Sequence, residues 1–166
     1  LTAPTRWLWA GVLAVMGLGH VVTALGLRPA DIAGRWALGA GGVLLILLAI
    51  RPNNVVGKFT LLHTLGSAFT FGLLALWPAI SAHAGPRVPW PLRRSVGVVT
   101  SVIAFVLIEV TLWGLILNAD TDGIRELLLY AWTSIWPLVV VAWTLTDPGY
   151  AYPNVAGPQP RRAPRA

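Results

Sequence analysis

The sequence contains no cysteine and few charged residues, and both shortages restrict the chemistry open to it. Without cysteine, the chain forms no disulfide and offers no thiolate for catalysis or for binding a metal or an iron–sulfur cluster. Charged residues make up only 11% of the 166 residues, whereas soluble domains carry about 25%. Hydrophobic residues make up 56%, more apolar surface than a soluble domain of this size can bury. The composition therefore predicts an integral membrane protein without a soluble catalytic domain.

Five apolar segments separated by short polar stretches indicate a compact, all-α bundle of five transmembrane helices. Each segment is close to the roughly 20 residues that cross about 30 Å of hydrocarbon. The second carries Arg35 near its start, so as a span it requires this side chain to extend to the headgroups. If it is only re-entrant, four spans remain. The predicted spans are residues 7–27, 32–50, 59–80, 96–118 and 127–146, within a bundle over 1–146 that a Pro/Arg-rich tail over 147–166 follows.

Small and aromatic residues predict how these helices pack. Glycines in the first segment and the run "RWALGAGG" in the second let two backbones approach closely, which predicts a tight hairpin. Tryptophans near the ends of spans are typical of the membrane interface, whereas deeper ones are expected between helices. The glycines are Gly11, Gly17 and Gly19; the interfacial tryptophans are Trp7, Trp9, Trp36, Trp77 and Trp143; the deeper ones are Trp113, Trp132 and Trp136.

The distribution of Lys and Arg predicts the orientation in the membrane. With five spans, eight basic residues fall on one side and four on the other, so the richer side is expected in the cytoplasm. This places the N-terminus outside, the C-terminus inside, and anionic lipids against the Arg-rich inner loops and tail. One lysine against eleven arginines, with abundant Ala, Val, Gly and Pro, suggests a GC-rich bacterial genome, so the membrane is expected to be a bacterial plasma membrane. The net charge of +6 is therefore attributed to topology and lipid contact, not to nucleic acid.

Glu109 is the most unusual residue of the apolar segments, because it lies within the run "VLIEVTLWG" of the fourth. A charge at this depth costs about 2.5–3.5 kcal/mol on insertion scales, and such residues are usually functional or paired. Helical rise places it about 14 Å below the outer boundary, with His63 at about 6 Å and Ser134 at about 10 Å. These depths are compatible with one polar pocket in the outer half. Its predicted members are Glu109, His63, Trp113, Thr133 and Ser134. Alternatively, the hydroxyl groups only hold helices together, and Glu109 bonds another helix or a partner subunit.

Two histidines within the spans, His20 and His63, invite comparison with a haem site. Helical rise separates them by about 14 Å in depth, whereas two axial ligands of one iron lie about 4 Å apart, each at a metal–nitrogen distance of about 2 Å. The pair is therefore not expected to bind one haem. His20 is assigned to a helix interface or to contact with a partner's cofactor, and no cofactor of the chain's own is predicted.

The sequence carries no metalloprotease, triad or paired-carboxylate pattern, so the first hypothesis is not an enzyme. It is a non-catalytic accessory subunit of a larger membrane complex, with an electron-transfer or transport assembly as the kind considered. A second hypothesis is a small proton-coupled carrier that uses Glu109, with Pro137 as a hinge. A third is a membrane protein that binds a quinone, lipid or pigment between its helices. Expected partners are other membrane subunits and anionic lipids, and a bound lipid or quinone is compatible with the sequence.

Overall fold

Five α-helices form most of the part of the chain that the computed structural model describes, residues 3–50, 61–84, 88–117 and 122–146. Each is long and apolar enough to cross a membrane. The protein is therefore an all-α integral membrane protein with five membrane-spanning helices, which confirms the predicted fold. The tail over 147–166 lies outside the described residues. The helices are α1 (Ala3–Gly26), α2 (Ile32–Ile50), α3 (Leu61–Ile80), α4 (Arg94–Ile116) and α5 (Asp122–Thr146).

The helix bounds agree with the predicted spans except at polar ends. The second segment is helical over its whole predicted length, 32–50, so the re-entrant alternative is wrong. The fifth helix begins at Asp122, five residues before the predicted 127, and the fourth begins at Arg94 rather than at 96. Helical hydrogen bonds do not require an apolar sequence, so a helix continues past the hydrocarbon into polar residues that a hydropathy criterion leaves out.

The helices pack in chain order, each against the next, and α5 also contacts α1. Two consecutive glycines let α2 lie close to both of its neighbours. A Cβ added at Gly42 would lie 2.6 Å from the Gly17 carbonyl oxygen on α1, and one at Gly41 would lie 2.7 Å from a methyl group of Leu74 on α3. The predicted hairpin of α1 and α2 is thus confirmed at Gly17, whereas Gly11 and Gly19 lie on the exposed side of α1.

The connection from α1 to α2 and the one from α3 to α4 lie at the same end of the bundle. The Asp31 amide on the first donates to the Ser81 carbonyl on the second, 3.3 Å away. The α3–α4 connection then folds back, since the His83 amide donates to Leu92, at the end of a short 3-10 helix (Trp90–Leu92). We call this the basic end, because it carries Arg28, Arg35, Arg93 and Arg94.

The main apolar core lies toward the basic end, and it contains Trp77, which was expected at the membrane interface. Trp77 is only 1% exposed and packs among residues of several helices, so that expectation is wrong. The physical reason is that the α3–α4 connection covers the end of α3, through Leu92 and the half-buried Val88. The buried core residues are Ala24, Leu27, Ala30, Ala37, Leu38, Leu74, Trp77, Leu92 and Val140.

Arg35 is directed to the end of α1 instead of extending freely to the headgroups. Its Nε donates to the Ala24 carbonyl at 2.7 Å and one terminal nitrogen donates to the Leu25 carbonyl at 2.9 Å. These carbonyls belong to the last turn of α1, where no further helical amide is present to pair them. A cation is also favourable at this end of a helix dipole. Arg35 therefore caps α1, and the half-buried arginine is compatible with the second span.

Candidate functional site

Glu109 lies on the outer surface of the bundle, not in its interior. It is exposed, as are residues three or four positions away along the same helix. The buried side of α4 is formed by small and polar residues, including Gly97, Thr100, Ser101 and Ala104. Glu109 is 9 residues past Thr100, and at 100° per residue this places it on the opposite side of α4. We call the exposed stripe the α4 face and define it by Val99, Val102, Val106, Glu109 and Trp113.

Glu109 lies well inside the length of α4. It is seven residues from the last residue of α4 at Ile116, which corresponds to about 10 Å. Within the part of the chain that the structure describes, no hydrogen bond or ion pair engages this carboxylate. Lipid chains offer it no hydrogen-bond donor. The site is therefore a carboxyl group on an otherwise apolar outer face, without a partner among the described residues.

The predicted pocket residues do not gather around Glu109. Trp113 lies next to it on the α4 face and is 58% exposed, so it does not pack between helices as expected. Thr133 is buried in α5, where its hydroxyl donates to the Leu129 carbonyl at 2.9 Å and lies 3.1 Å from the Tyr130 carbonyl. These are local bonds of the kind that hydroxyl side chains make within a helix. Glu109 therefore lies on the outside of the bundle, whereas Thr133 lies inside it.

The other two predicted members lie partly within the bundle. Ser134 is half-buried, and its hydroxyl group is inaccessible and lacks a partner among the described residues. His63 is half-buried near the start of α3 and takes part in an interaction with its surroundings. Neither is joined to Glu109 by a hydrogen bond within the described residues. Among the described residues, hydrogen bonds therefore do not link Glu109 to any of the other four predicted residues.

His20 is buried between α1 and α2, where its Cβ lies next to Gly42. The imidazole is hydrogen-bonded to the Met16 carbonyl one turn earlier, and Nε2 has no partner among the described residues. Because Nε2 has no partner in the described part of the chain, the hydrogen bond to the Met16 carbonyl is assigned to Nδ1 as the donor. Among the described residues, no three His, Asp or Glu side chains group closely enough to hold a metal ion.

Of two contacts between helices, the first was not predicted from the sequence and the second agrees with a prediction. Ser101 on α4 accepts a hydrogen bond from the Ala79 amide on α3, at 3.1 Å. Ala79 follows Pro78, whose ring disturbs the helical hydrogen bonds at this point. The second is a hydrogen bond from the indole N–H of Trp132 on α5 to the Thr100 carbonyl on α4, at 3.3 Å, which confirms the expected position of Trp132 between helices. The proline was the available signal for the first contact, because an interrupted helix leaves amides that another helix can bind.

Comparison with known proteins adds a family but no activity. Residues 1–143 match the family described as "Protein of unknown function (DUF998)", so the chain belongs to this family. No curated protein matches the chain, and no solved structure matches it. The function must therefore be inferred from the described geometry.

Proposed function

We propose that the protein is a non-catalytic subunit of a larger membrane-protein assembly and that it docks through the α4 face. The observation that carries the proposal is the outward position of Glu109 about 10 Å from the end of its helix. A carboxyl group in hydrocarbon needs a hydrogen-bonding partner, and intramembrane acidic residues usually face other protein groups or a water-filled cavity. Because the described part of its own bundle supplies none, another polypeptide is the source that satisfies Glu109.

Neither headgroups nor water is an equivalent partner for this side chain. Long Lys and Arg side chains near helix ends reach the interface, but Glu109 lies two turns inside α4 on a shorter side chain. Apolar neighbours surround it on the α4 face, including Val106 and Trp113, which are 55% and 58% exposed. A transmembrane helix seated on this face would cover these neighbours and bring a polar group to the depth of Glu109. Docking thereby removes the penalty that the lone carboxyl group imposes.

The basic end carries the second part of the proposal, which concerns lipid contact and orientation in the membrane. Arg28, Arg93 and Arg94 are exposed there, and Trp36 near the start of α2 is exposed as well. Arginine at a membrane surface attracts anionic headgroups, and tryptophan is typical of the interface. These side chains support the proposal that the basic end lies at the cytoplasmic surface of a bacterial plasma membrane. This orientation puts Glu109 in the outer half of the membrane.

Extraction in a mild detergent tests the docking role. The tagged full-length chain is expected to co-purify with other membrane proteins in fixed stoichiometry. Glu109→Leu is expected to release them, because leucine keeps the apolar contacts but removes the polar one. Val110→Leu is the matched control, since Val110 is the exposed neighbour on the same helix. A wild-type chain that purifies as a stable monomer, or a complex unchanged by Glu109→Leu, would contradict the proposal.

A quinone- or lipid-binding role is the second candidate, and one observation favours it. The indole N–H groups of Trp77 and Trp136 are buried near the same core cluster and have no acceptor among the described residues. A buried donor without a partner costs about 1–3 kcal/mol, and a ligand carbonyl could accept such bonds. Organic extraction of the purified protein followed by mass spectrometry tests this role. A stoichiometric quinone or lipid that Trp136→Phe depletes supports it, and extracts without one reject it.

The carrier hypothesis receives no comparable support. It requires Glu109 to line a path through the bundle, whereas the carboxylate lies on the outer surface of α4. Transport that is unchanged across pH in Glu109→Gln would reject it.

A further inference from the structure

From the geometry of the α4 face, we infer that its first occupant is a second copy of this chain, packed α4 against α4 about a twofold axis along the membrane normal. The inference rests on the proposed docking role of this face and identifies the polypeptide that pairs with Glu109 as a second copy, so that release of other subunits by Glu109→Leu would follow from loss of this dimer. It depends on three properties of the face: the chemistry of Glu109, the depth at which two copies meet, and the shape of the helix.

The Glu109 carboxyl groups of two copies of the chain can serve as each other's hydrogen-bonding partners. When protonated, it carries one O–H donor together with acceptor oxygens, so two such groups can donate to each other. Two Glu109 side chains paired in this way leave no net charge in the hydrocarbon. A basic side chain from a different protein would also bond Glu109, but it would add a second residue whose insertion is unfavourable. The self-paired arrangement therefore needs no additional intramembrane charge.

Symmetry places the two carboxyl groups at the same depth without further adjustment. Two copies of one chain insert with the same orientation, so a twofold axis along the membrane normal brings each residue of the α4 face opposite its own copy. Glu109 then meets the other Glu109, and Val106 meets the other Val106. A different protein would have to carry its polar group at this same depth to make the equivalent bond.

The surface around Glu109 is suited to close packing of two helices. The intervals from Val99 through Val102, Val106 and Glu109 to Trp113 are 3, 4, 3 and 4 residues, the spacing of a left-handed helix pair. Three of the five positions are short valine side chains, so the seam is apolar on the basic-end side of Glu109. Unlike α3 and α5, which contain Pro78 and Pro137, α4 has no proline. It therefore presents an uninterrupted helix along which two copies can make contact.

The absence of cysteine makes disulfide cross-linking in native membranes a direct test. A Val106→Cys chain is expected to form a disulfide-linked dimer on mild oxidation, because equivalent residues on the α4 face meet at the axis. Val15→Cys is the matched control: Val15 is 71% exposed on α1, 11 residues from the basic end of its helix, as Val106 is 12 from that of α4. The control is expected to cross-link only at the level of random collisions.

The role of Glu109 is tested in the same Val106→Cys background. Glu109→Leu is expected to weaken dimerisation about tenfold, the loss of roughly one intramembrane hydrogen-bond pair. Glu109→Gln is expected to retain the dimer, because an amide also carries both a donor and an acceptor. Equal cross-linking at Val106 and Val15, or no effect of Glu109→Leu on the yield, would overturn the inference.

Failure of the inference can be distinguished from failure of the proposed function. One outcome is that Val106→Cys forms no disulfide-linked dimer, but Glu109→Leu still releases a different protein from the complex. In that case the face is occupied by that protein and the self-pairing is wrong. If Val106→Cys cross-links in a Glu109-dependent way but no other protein co-purifies, the self-pairing holds and the role in a larger assembly is wrong. Loss of both results rejects the two together.

Discussion

The guanidinium group of Arg35 on α2 donates from Nε to the backbone carbonyl of Ala24 on α1, across a distance of 2.7 Å. A second donor of the same group reaches the Leu25 carbonyl at 2.9 Å. One side chain thus closes the last turn of α1 and fixes how α2 leaves the short connection between them. A residue that looks unfavourable in a transmembrane segment stabilises the first helical hairpin.

Arg35→Leu is expected to destabilise the bundle by about 1.5–3 kcal/mol, because hydrogen bonds to a charged donor are lost and two carbonyls are left unpaired. Arg35→Lys should recover only part of this, since an ammonium group cannot reproduce the fixed geometry of two guanidinium donors. Reversible unfolding in mixed micelles measures the change. Arg28→Leu is the control at the same end, with an expected effect within about 0.5 kcal/mol because Arg28 is an exposed surface residue. Equal effects at Arg35 and Arg28 would show that the cap contributes nothing.

Gly42→Val is expected to separate α1 from α2. A Cβ at this position would lie 2.6 Å from the Gly17 carbonyl and 2.9 Å from the Cβ of His20, and neither atom is the end of a flexible side chain. Overpacking of this kind costs about 1–3 kcal/mol. Gly19→Val is the control, since a Cβ added at Gly19 would meet no neighbouring atom within 4 Å. Unfolding in mixed micelles should show a loss only for Gly42→Val, and an equal loss for both variants would contradict the close contact.

Ser101→Ala is expected to free the Ala79 amide and to lower stability by about 1 kcal/mol, the usual contribution of one hydrogen bond. The specific readout is amide hydrogen exchange, which should become faster at Ala79 than at amides elsewhere in α3. Ser95→Ala provides the comparison, because Ser95 is an exposed serine near the start of the same helix. Unchanged exchange at Ala79 would mean that the 3.1 Å contact between these helices is not maintained.

The number of spans could be predicted from the sequence because membrane thickness imposes a length that apolar segments must meet. Arg35 did not interrupt the second span, because its charged group is paired with backbone carbonyls in the last turn of α1. The bounds of α5 were less predictable, since its first turns are polar yet helical.

The surface on which each residue lies was much harder to predict. In a soluble helix, apolar periodicity identifies the buried side, but in a membrane both the buried and the lipid-facing sides are apolar. Trp77 and Trp113 illustrate the difficulty: the first was assigned to the interface and is buried, and the second was assigned to a helix contact and is exposed. The depth of Glu109 followed from its place in the sequence, whereas its outward direction depended on how α4 packs against α3 and α5.

Glu109→Leu is expected to separate folding from assembly. The carboxylate makes no hydrogen bond within the described part of the chain, so its loss should leave the unfolding free energy of the purified subunit in micelles unchanged within about 0.5 kcal/mol, as for other surface substitutions. Trp77→Ala, in contrast, should cost about 3–5 kcal/mol, because a large side chain is removed from the core. In native membranes, Glu109→Leu should instead reduce association of the protein with its partner, and the conservative Glu109→Gln should retain it. A marked loss of subunit stability in Glu109→Leu would instead assign this carboxyl group to the fold.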